Sequence, residues 1–216
     1  MTNQASNLPL SAQIAAELLE IKAIKLQPEN PFTWASGWKS PIYCDNRMTL
    51  SYPALRTLIK DGFVNEIKNK YPQTQVIAGV ATAGIPQGAL IAEAMELPFI
   101  YVRDKAKSHG RTNRIEGEVQ PGKNVFVVED LISTGGSAIK AIDALREAKM
   151  NVLGLGAIFT YGFPQADRNL LEANVSHFCL SDYHSLLDIA ASTGLIDASV
   201  LESLNAWRMN PESWMQ

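Results

Sequence analysis

The chain has 216 residues, enough for one large domain, and its 46% hydrophobic content is ordinary for a protein that buries a core. A net charge of −3 gives no general attraction to nucleic acid, so any positive site must be local. Two distant cysteines and three histidines argue against a disulfide framework or a zinc cluster, and Cys44 and Cys179 read as reduced, half-buried thiols.

The N-terminal MTNQASNLPLSAQIAAELLE has no basic flank followed by an apolar run, so it does not read as a signal peptide. No stretch approaches the roughly 20 apolar residues of a membrane span. The expectation is a soluble, cytoplasmic protein with no membrane partner. Ser11 is a candidate N-cap for a helix through about Leu26, with Ile14, Leu18, Leu19 and Ile21 as its apolar stripe and Pro28 as its stop. Two short β-type runs follow, Phe32–Trp34 and Ile42–Cys44, around the turn-prone Ser36-Gly37. Pro53 starts a second helix reaching about Tyr71.

After Pro72 the apolar runs QVIAGV, PFIYVR, NVFVVE, VLGLGAIFTY and SHFCL read as strands. Helical segments near Ile85–Met95, Gly136–Lys149 and Pro164–Ala173 separate them, and two more, near Ser185–Ser192 and Ser199–Met209, close the chain. Continuous rather than alternating apolar strands are covered by helices on both faces. The alternation therefore predicts an α/β fold, a mainly parallel twisted sheet with right-handed crossovers. No repeat or linker divides residues 1–216, and about the first 50 read as a small hood over the sheet.

DKAKSHGRTNRIEGEVQPG is neither helix nor strand, and it carries Lys105, Lys107, His109, Arg111 and Arg114. A structureless connection this long is usually functional or disordered, and this one leaves the carboxyl end of a predicted strand, where open parallel sheets bind ligands.

Residues 125–137, VFVVEDLISTGGS, carry the clearest chemistry. Val125–Val128 reads as a buried strand ending on Glu129 and Asp130. Ser133, Thr134, Gly135, Gly136 and Ser137 then open a helix, whose N-terminal amides and small residues suit a phosphate monoester. Two carboxylates repel phosphate and instead need donors such as vicinal hydroxyls, or a bridging cation. Cradle plus acid pair describes a phosphorylated sugar. GVATAGIP (79–86) has the glycine spacing of a nucleoside-triphosphate loop, but Ile85-Pro86 stands where Lys and Ser/Thr are needed. It remains a candidate donor of backbone amides to a second phosphate. Gly154-Leu155-Gly156 lacks the third glycine of a dinucleotide fingerprint.

VFVVEDLISTGGS resembles the 5-phosphoribosyl-1-diphosphate (PRPP) motif of type I phosphoribosyltransferases. FTWASGWKSPIYCDNR (32–47) and RDKAKSHG (103–110) resemble the substrate segment and flexible loop of its orotate-using branch. The resemblance spans about residue 11 to the last helices. It implies the type I phosphoribosyltransferase fold and transfer of the 5-phosphoribosyl group from PRPP to orotate, giving orotidine 5′-monophosphate and pyrophosphate in pyrimidine synthesis. It also implies Mg2+ held mainly by PRPP and water, and a homodimer whose loop closes over the neighbouring subunit's site. Lys107, His109, Glu129 and Asp130 match the family's catalytic positions. Arg103, Lys107 and His109 match its pyrophosphate ligands, and Glu129, Asp130, Leu131, Ile132 and Ser133–Ser137 its ribose-phosphate site. Ser133, Tyr43 and Arg47 are the orotate candidates, with Arg47 a candidate fork for the carboxylate. The chain departs from the enterobacterial pattern at Ala35, Ala83, Asp104 and FTYGFP, where that pattern has cations; Lys39, Lys105 and Arg47 lie nearby. A purine-using transferase and a non-catalytic PRPP-sensing regulator are the rival readings.

Overall fold

The computed structural model describes residues 8–34, 37–104 and 114–214. Within them, six strands form one sheet in the order β10-β9-β8-β5-β6-β7. They are β5 (Val76–Val80), β6 (Phe99–Val102), β7 (Ile115–Glu116), β8 (Asn124–Ile132), β9 (Asn151–Thr160) and β10 (His177–Asp182). All neighbours pair in parallel except β7, a short antiparallel edge strand on β6. The sequence reading missed β7, whose two residues carry no periodic signal.

Helices α3 (Gly84–Met95), α4 (Gly136–Glu147) and α5 (Pro164–Glu172) make the crossovers, and α2 (Pro53–Lys70) precedes β5. The continuous apolar runs are explained by two cores, one on each face. Along β8, Phe126 and Val128 enter the core that α2 and α3 help to build, whereas Val125 and Val127 enter the one under α4 and α5. Alternate side chains point to opposite faces, so a strand buried on both must be apolar throughout. Gly154 and Gly156 of β9 make room for aromatic rings: a Cβ on Gly154 would lie 2.7 Å from the Tyr71 ring, and one on Gly156 2.8 Å from Phe63.

The N-terminal region differs from expectation in two places. Helix α1 (Leu10–Glu20) begins directly after Pro9 and ends before Lys22, which takes a left-handed φ of 59°; Ser11 is not its cap and the helix does not reach Leu26. Residues Ile24–Leu26 instead form β1, because pairing with β4 (Ile42–Cys44) outweighs helix propensity. Nor do the two expected β-runs pair with each other. Phe32–Thr33 (β2) pairs with Lys39–Ser40 (β3), and the hood is two small ribbons rather than one hairpin.

Helix α7 (Ala198–Met209) pins that hood to the sheet. Trp207 is fully buried, donates from Nε1 to the Lys39 carbonyl at 3.2 Å, and meets Trp34, Tyr161, Phe163 and Tyr183 at ring distances of 5.2–5.8 Å. Helix α6 (Tyr183–Ser192) supplies Tyr183, whose hydroxyl donates to Leu204 of α7.

Candidate active site

The expected strand end at Val128 is corrected: β8 runs through the acid pair to Ile132. On one side β9 accompanies it to the end, pairing Ile132 with Thr160, but on the other β5 stops pairing at Val128, opposite Gly79. The four-residue extension carrying Glu129 and Asp130 thus has sheet support on one edge only. Glu129 is buried, and burial followed by the neighbouring Asp130 charge pushes its carboxyl well above the usual range. Burial also raises the Asp130 carboxyl, opposed by hydrogen bonding to Glu129, by backbone N–H groups and by the Arg47 charge. Two such acids, one residue apart and short of water, favour a ligand that brings donors or a cation.

Beyond Ile132 the turn Ser133–Gly135 leads into α4. Gly135 has φ 81°, a conformation that spares glycine the strain of a Cβ, and no side chain caps the helix. The amides of its first turn are therefore available to an anion. Glu129 and residues 131–138 enclose a cradle of about 90 Å³ there. Ile132 and Thr134 support it through their carbonyls, which accept from Thr160 Oγ1 at 3.1 Å and Asn169 Nδ2 at 2.9 Å. These two supports come from β9 and α5, and no local sequence signal marks them.

Next to the cradle opens a cleft of about 410 Å³ lined by Phe32, Thr33, Trp34, Tyr43, Cys44, Leu131, Ser133 and Tyr161. It is aromatic and only sparsely polar, suited to a flat heterocycle. Ser133 and Leu131 line both cavities, so cleft and cradle form a continuous site. Of the expected acceptor residues, Tyr43 and Ser133 line the cleft and Arg47 does not. The Arg47 guanidinium holds the Asp45 carboxylate by two bonds, 2.6 and 2.9 Å long. Phe32, Trp34 and Tyr161 also line the cleft and were not among the expected residues. Cys44 is a free, partly buried thiol, kept protonated by burial and by the charges of Asp130 and Asp45.

On the third side a small cavity of about 40 Å³ lies between Val80, Ala81, Val102, Arg103, Asp104, Arg114, Ser137 and Ala141. It joins the turn before α3 to the start of α4, and neither helix has a side-chain cap. Arg103 and Arg114 bring cations to it; Arg103 is 3.3 Å from Glu116, and the Arg103 amide donates to the Arg114 carbonyl at 2.8 Å. Arg114 was not among the expected ligands. The glycines of GVATAGIPQG let α3 press on the sheet: a Cβ on Gly84 would sit 2.4 Å from the Val128 carbonyl oxygen. Lys105, Lys107, His109 and Arg111, together with Ala35, lie outside the described residues.

Residues 50–176 match the phosphoribosyl transferase domain family. Over 205 residues the chain is 53% identical to an orotate phosphoribosyltransferase of Bacteroides fragilis, covering 95% of this chain and 97% of that one. The chain belongs to the orotate phosphoribosyltransferase family. Solved structures agree with that membership. An orotate phosphoribosyltransferase from Aeropyrum pernix superposes with a TM-score of 0.74 at 26% identity, over 85% of this chain and 99% of that one. The UMP synthase of Leishmania donovani gives 0.75 at 27% over 91% of this chain, which spans 42% of that longer protein. The fold is accordingly the type I phosphoribosyltransferase α/β fold with a six-stranded, mostly parallel sheet.

Proposed function

We infer that this chain transfers the 5-phosphoribosyl group from PRPP to orotate, yielding orotidine 5′-monophosphate and pyrophosphate in pyrimidine synthesis. The observation that carries this reading is the continuity of the site. An aromatic cleft and an anion cradle share Ser133 and Leu131, with the acid pair beside them on the same strand.

The ribose 5′-phosphate rests on the amides and hydroxyls of Ser133–Ser137, and Glu129 and Asp130 accept from the ribose hydroxyls. Orotate lies in the cleft beside Tyr43 and Ser133. The bond from orotate nitrogen to C1 forms as the C1–oxygen bond to pyrophosphate breaks, and positive charge develops on the sugar between them. Fixed carboxylates stabilise that charge better than mobile water does. Arg103, with Arg114 behind it, faces the departing pyrophosphate, and Lys107 and His109 of the following loop complete its charge neutralisation. Loop closure also keeps water from the activated sugar.

Among the described residues no group of three or more acidic, histidine or cysteine side chains forms a protein cage for a metal. Two adjacent carboxylates do suit Mg2+, which keeps waters and substrate oxygens and uses one or two protein acids. Glu129 and Asp130 would help to hold it, and the ion would supply Lewis-acid assistance to the leaving pyrophosphate. The active unit is a homodimer in which the loop carrying Lys107 and His109 in one subunit serves the partner's site. Its place is the cytoplasm, in keeping with two unpaired cysteines; no described helix is long and apolar enough to cross a membrane.

The test is orotate absorbance in the presence of PRPP and Mg2+, run beside adenine, xanthine and uracil. Consumption of orotate alone supports the reading, and a chain that consumes another base instead overturns it.

A further inference from the structure

We propose that Asn46 is a positioning residue for the acid pair, joining it to the acceptor cleft through Cys44. This rests on the PRPP and orotate reading above. The problem it solves is the one-sided support of the β8 extension. Once β5 stops pairing at Val128, Asp130 has a backbone N–H and a carbonyl with no strand opposite them on that side. Buried backbone groups need partners. Here both are met by side chains: the N–H donates to Glu129 Oε1 at 3.0 Å, and the carbonyl accepts from Asn46 Nδ2 at 2.8 Å.

Asn46 comes from 84 positions earlier in the chain and is 2% exposed. It opens the 3-10 turn Asn46–Ser51, where its own carbonyl accepts from Thr49 Oγ1 at 2.7 Å. Its Oδ1 accepts from the Cys44 thiol at 3.4 Å. Those partners fix the carboxamide: turned over, it would set oxygen against the Asp130 carbonyl and NH2 against a thiol that is a better donor than acceptor. Cys44 is itself part of the cleft wall. A chain of two hydrogen bonds thus runs from the acceptor cleft to the strand that carries the ribose-binding acids. The bond to Asp130 also ties the hood to the sheet, because it joins the turn after one ribbon to the side of β8 that β5 leaves unpaired.

The chemistry at this position is selective. Alanine removes the donor and leaves the Asp130 carbonyl buried and unpaired. Aspartate keeps the shape but sets a carboxylate against that carbonyl and beside the acid pair. If Asn46 only filled space, Asn46→Asp would be the milder change.

The experiment measures PRPP binding by calorimetry without acceptor, then steady-state kinetics with each substrate varied in turn and thermal unfolding, for wild type, Asn46→Ala, Asn46→Asp and Cys44→Ala. The expected result is a loss of PRPP affinity of tenfold or more in Asn46→Ala, with a larger loss in Asn46→Asp. In both, the KM for PRPP should rise more than that for orotate, although Asn46 belongs to the hood. Cys44→Ala should show a smaller loss of PRPP affinity. PRPP affinity within twofold of wild type in both Asn46 variants would overturn the proposal, whatever their melting temperatures. If neither variant folds, Cys44→Ala decides: an unmoved PRPP affinity overturns it. A wild type that binds PRPP but leaves orotate unconsumed would refute the acceptor assignment alone, since the titration contains no acceptor.

Discussion

Trp207 offers the sharpest test of how the acceptor cleft is held together. Its ring is fully buried, and it touches two cleft-lining rings, Trp34 and Tyr161, each with centroids 5.8 Å away. Trp207→Ala deletes this centrepiece and should destabilise the fold by about 3–5 kcal/mol. For a chain of this size, at about 2–4 °C per kcal/mol, the melting temperature should fall by about 6–20 °C. Trp207→Phe keeps an aromatic ring but strips the Lys39 carbonyl of its donor, a loss of about 1–3 kcal/mol if that carbonyl stays unpaired. Because Trp207 packs on two cleft-lining rings, both variants should raise the KM for orotate more than that for PRPP. Thermal unfolding and steady-state kinetics with each substrate varied in turn provide the check. Equal losses for the two substrates, or an unchanged orotate KM in both variants, would refute the idea that α7 shapes the cleft.

Glu129→Gln should stabilise the fold while weakening PRPP binding. A carboxyl whose folded pKa lies above its unfolded value costs stability as pH rises from about 4.3 toward the folded value, at about 1.4 kcal/mol for each pH unit between the two. Unfolding scans of wild type and variant should therefore agree near pH 4 and separate toward neutrality; parallel curves would show that Glu129 carries no such burden. Lys107→Ala should reduce turnover far more than PRPP affinity, and kinetics that show equal losses would mean ground-state binding only. Arg47→Ala should weaken orotate binding by tenfold or more if its fork leaves Asp45 for the substrate carboxylate, and an unchanged orotate Kd would sink that role.

The parts legible in the sequence are those whose signal is local. Buried parallel strands declare themselves as apolar runs, so β5, β6, β8, β9 and β10 lie where the runs lie. The acid pair and the Gly-Gly turn sit within a few residues of one another, so the strand end and the helix start that carry them could be located from the run itself. The hood was not legible, because strands of two or three residues owe their form to pairing rather than propensity: Ile24–Leu26 is extended only because Ile42–Cys44 lies beside it. Nor could the run VFVVED show that β5 ends level with Val128, which is what turns a strand interior into a ligand-facing edge. Tyr161 and Trp34 belong to one cleft because α7, far from both in sequence, packs them together. Arg114 was read only as one cation of the long connection, because the antiparallel β7 that returns it beside Arg103 is two residues long and leaves no pattern to read.

The two halves of the site are built by different means, and this bears on what can vary. Acid pair and cradle lie on one continuous strand, turn and helix, so their mutual spacing follows from backbone geometry and from two flanking cores. The acceptor cleft is assembled from ribbons, a strand end and a distant helix, and its shape depends on side-chain packing. Under the proposed function, substitutions in the hood can therefore reshape the cleft for the acceptor while leaving the acid pair and cradle in place, unless they reach Asn46. There the acceptor half is bonded directly to the backbone of Asp130, and a change on one side must be felt on the other. Under the proposed function, selectivity for the base is in this sense separable from sugar-phosphate binding at most hood positions, and inseparable from it at that one.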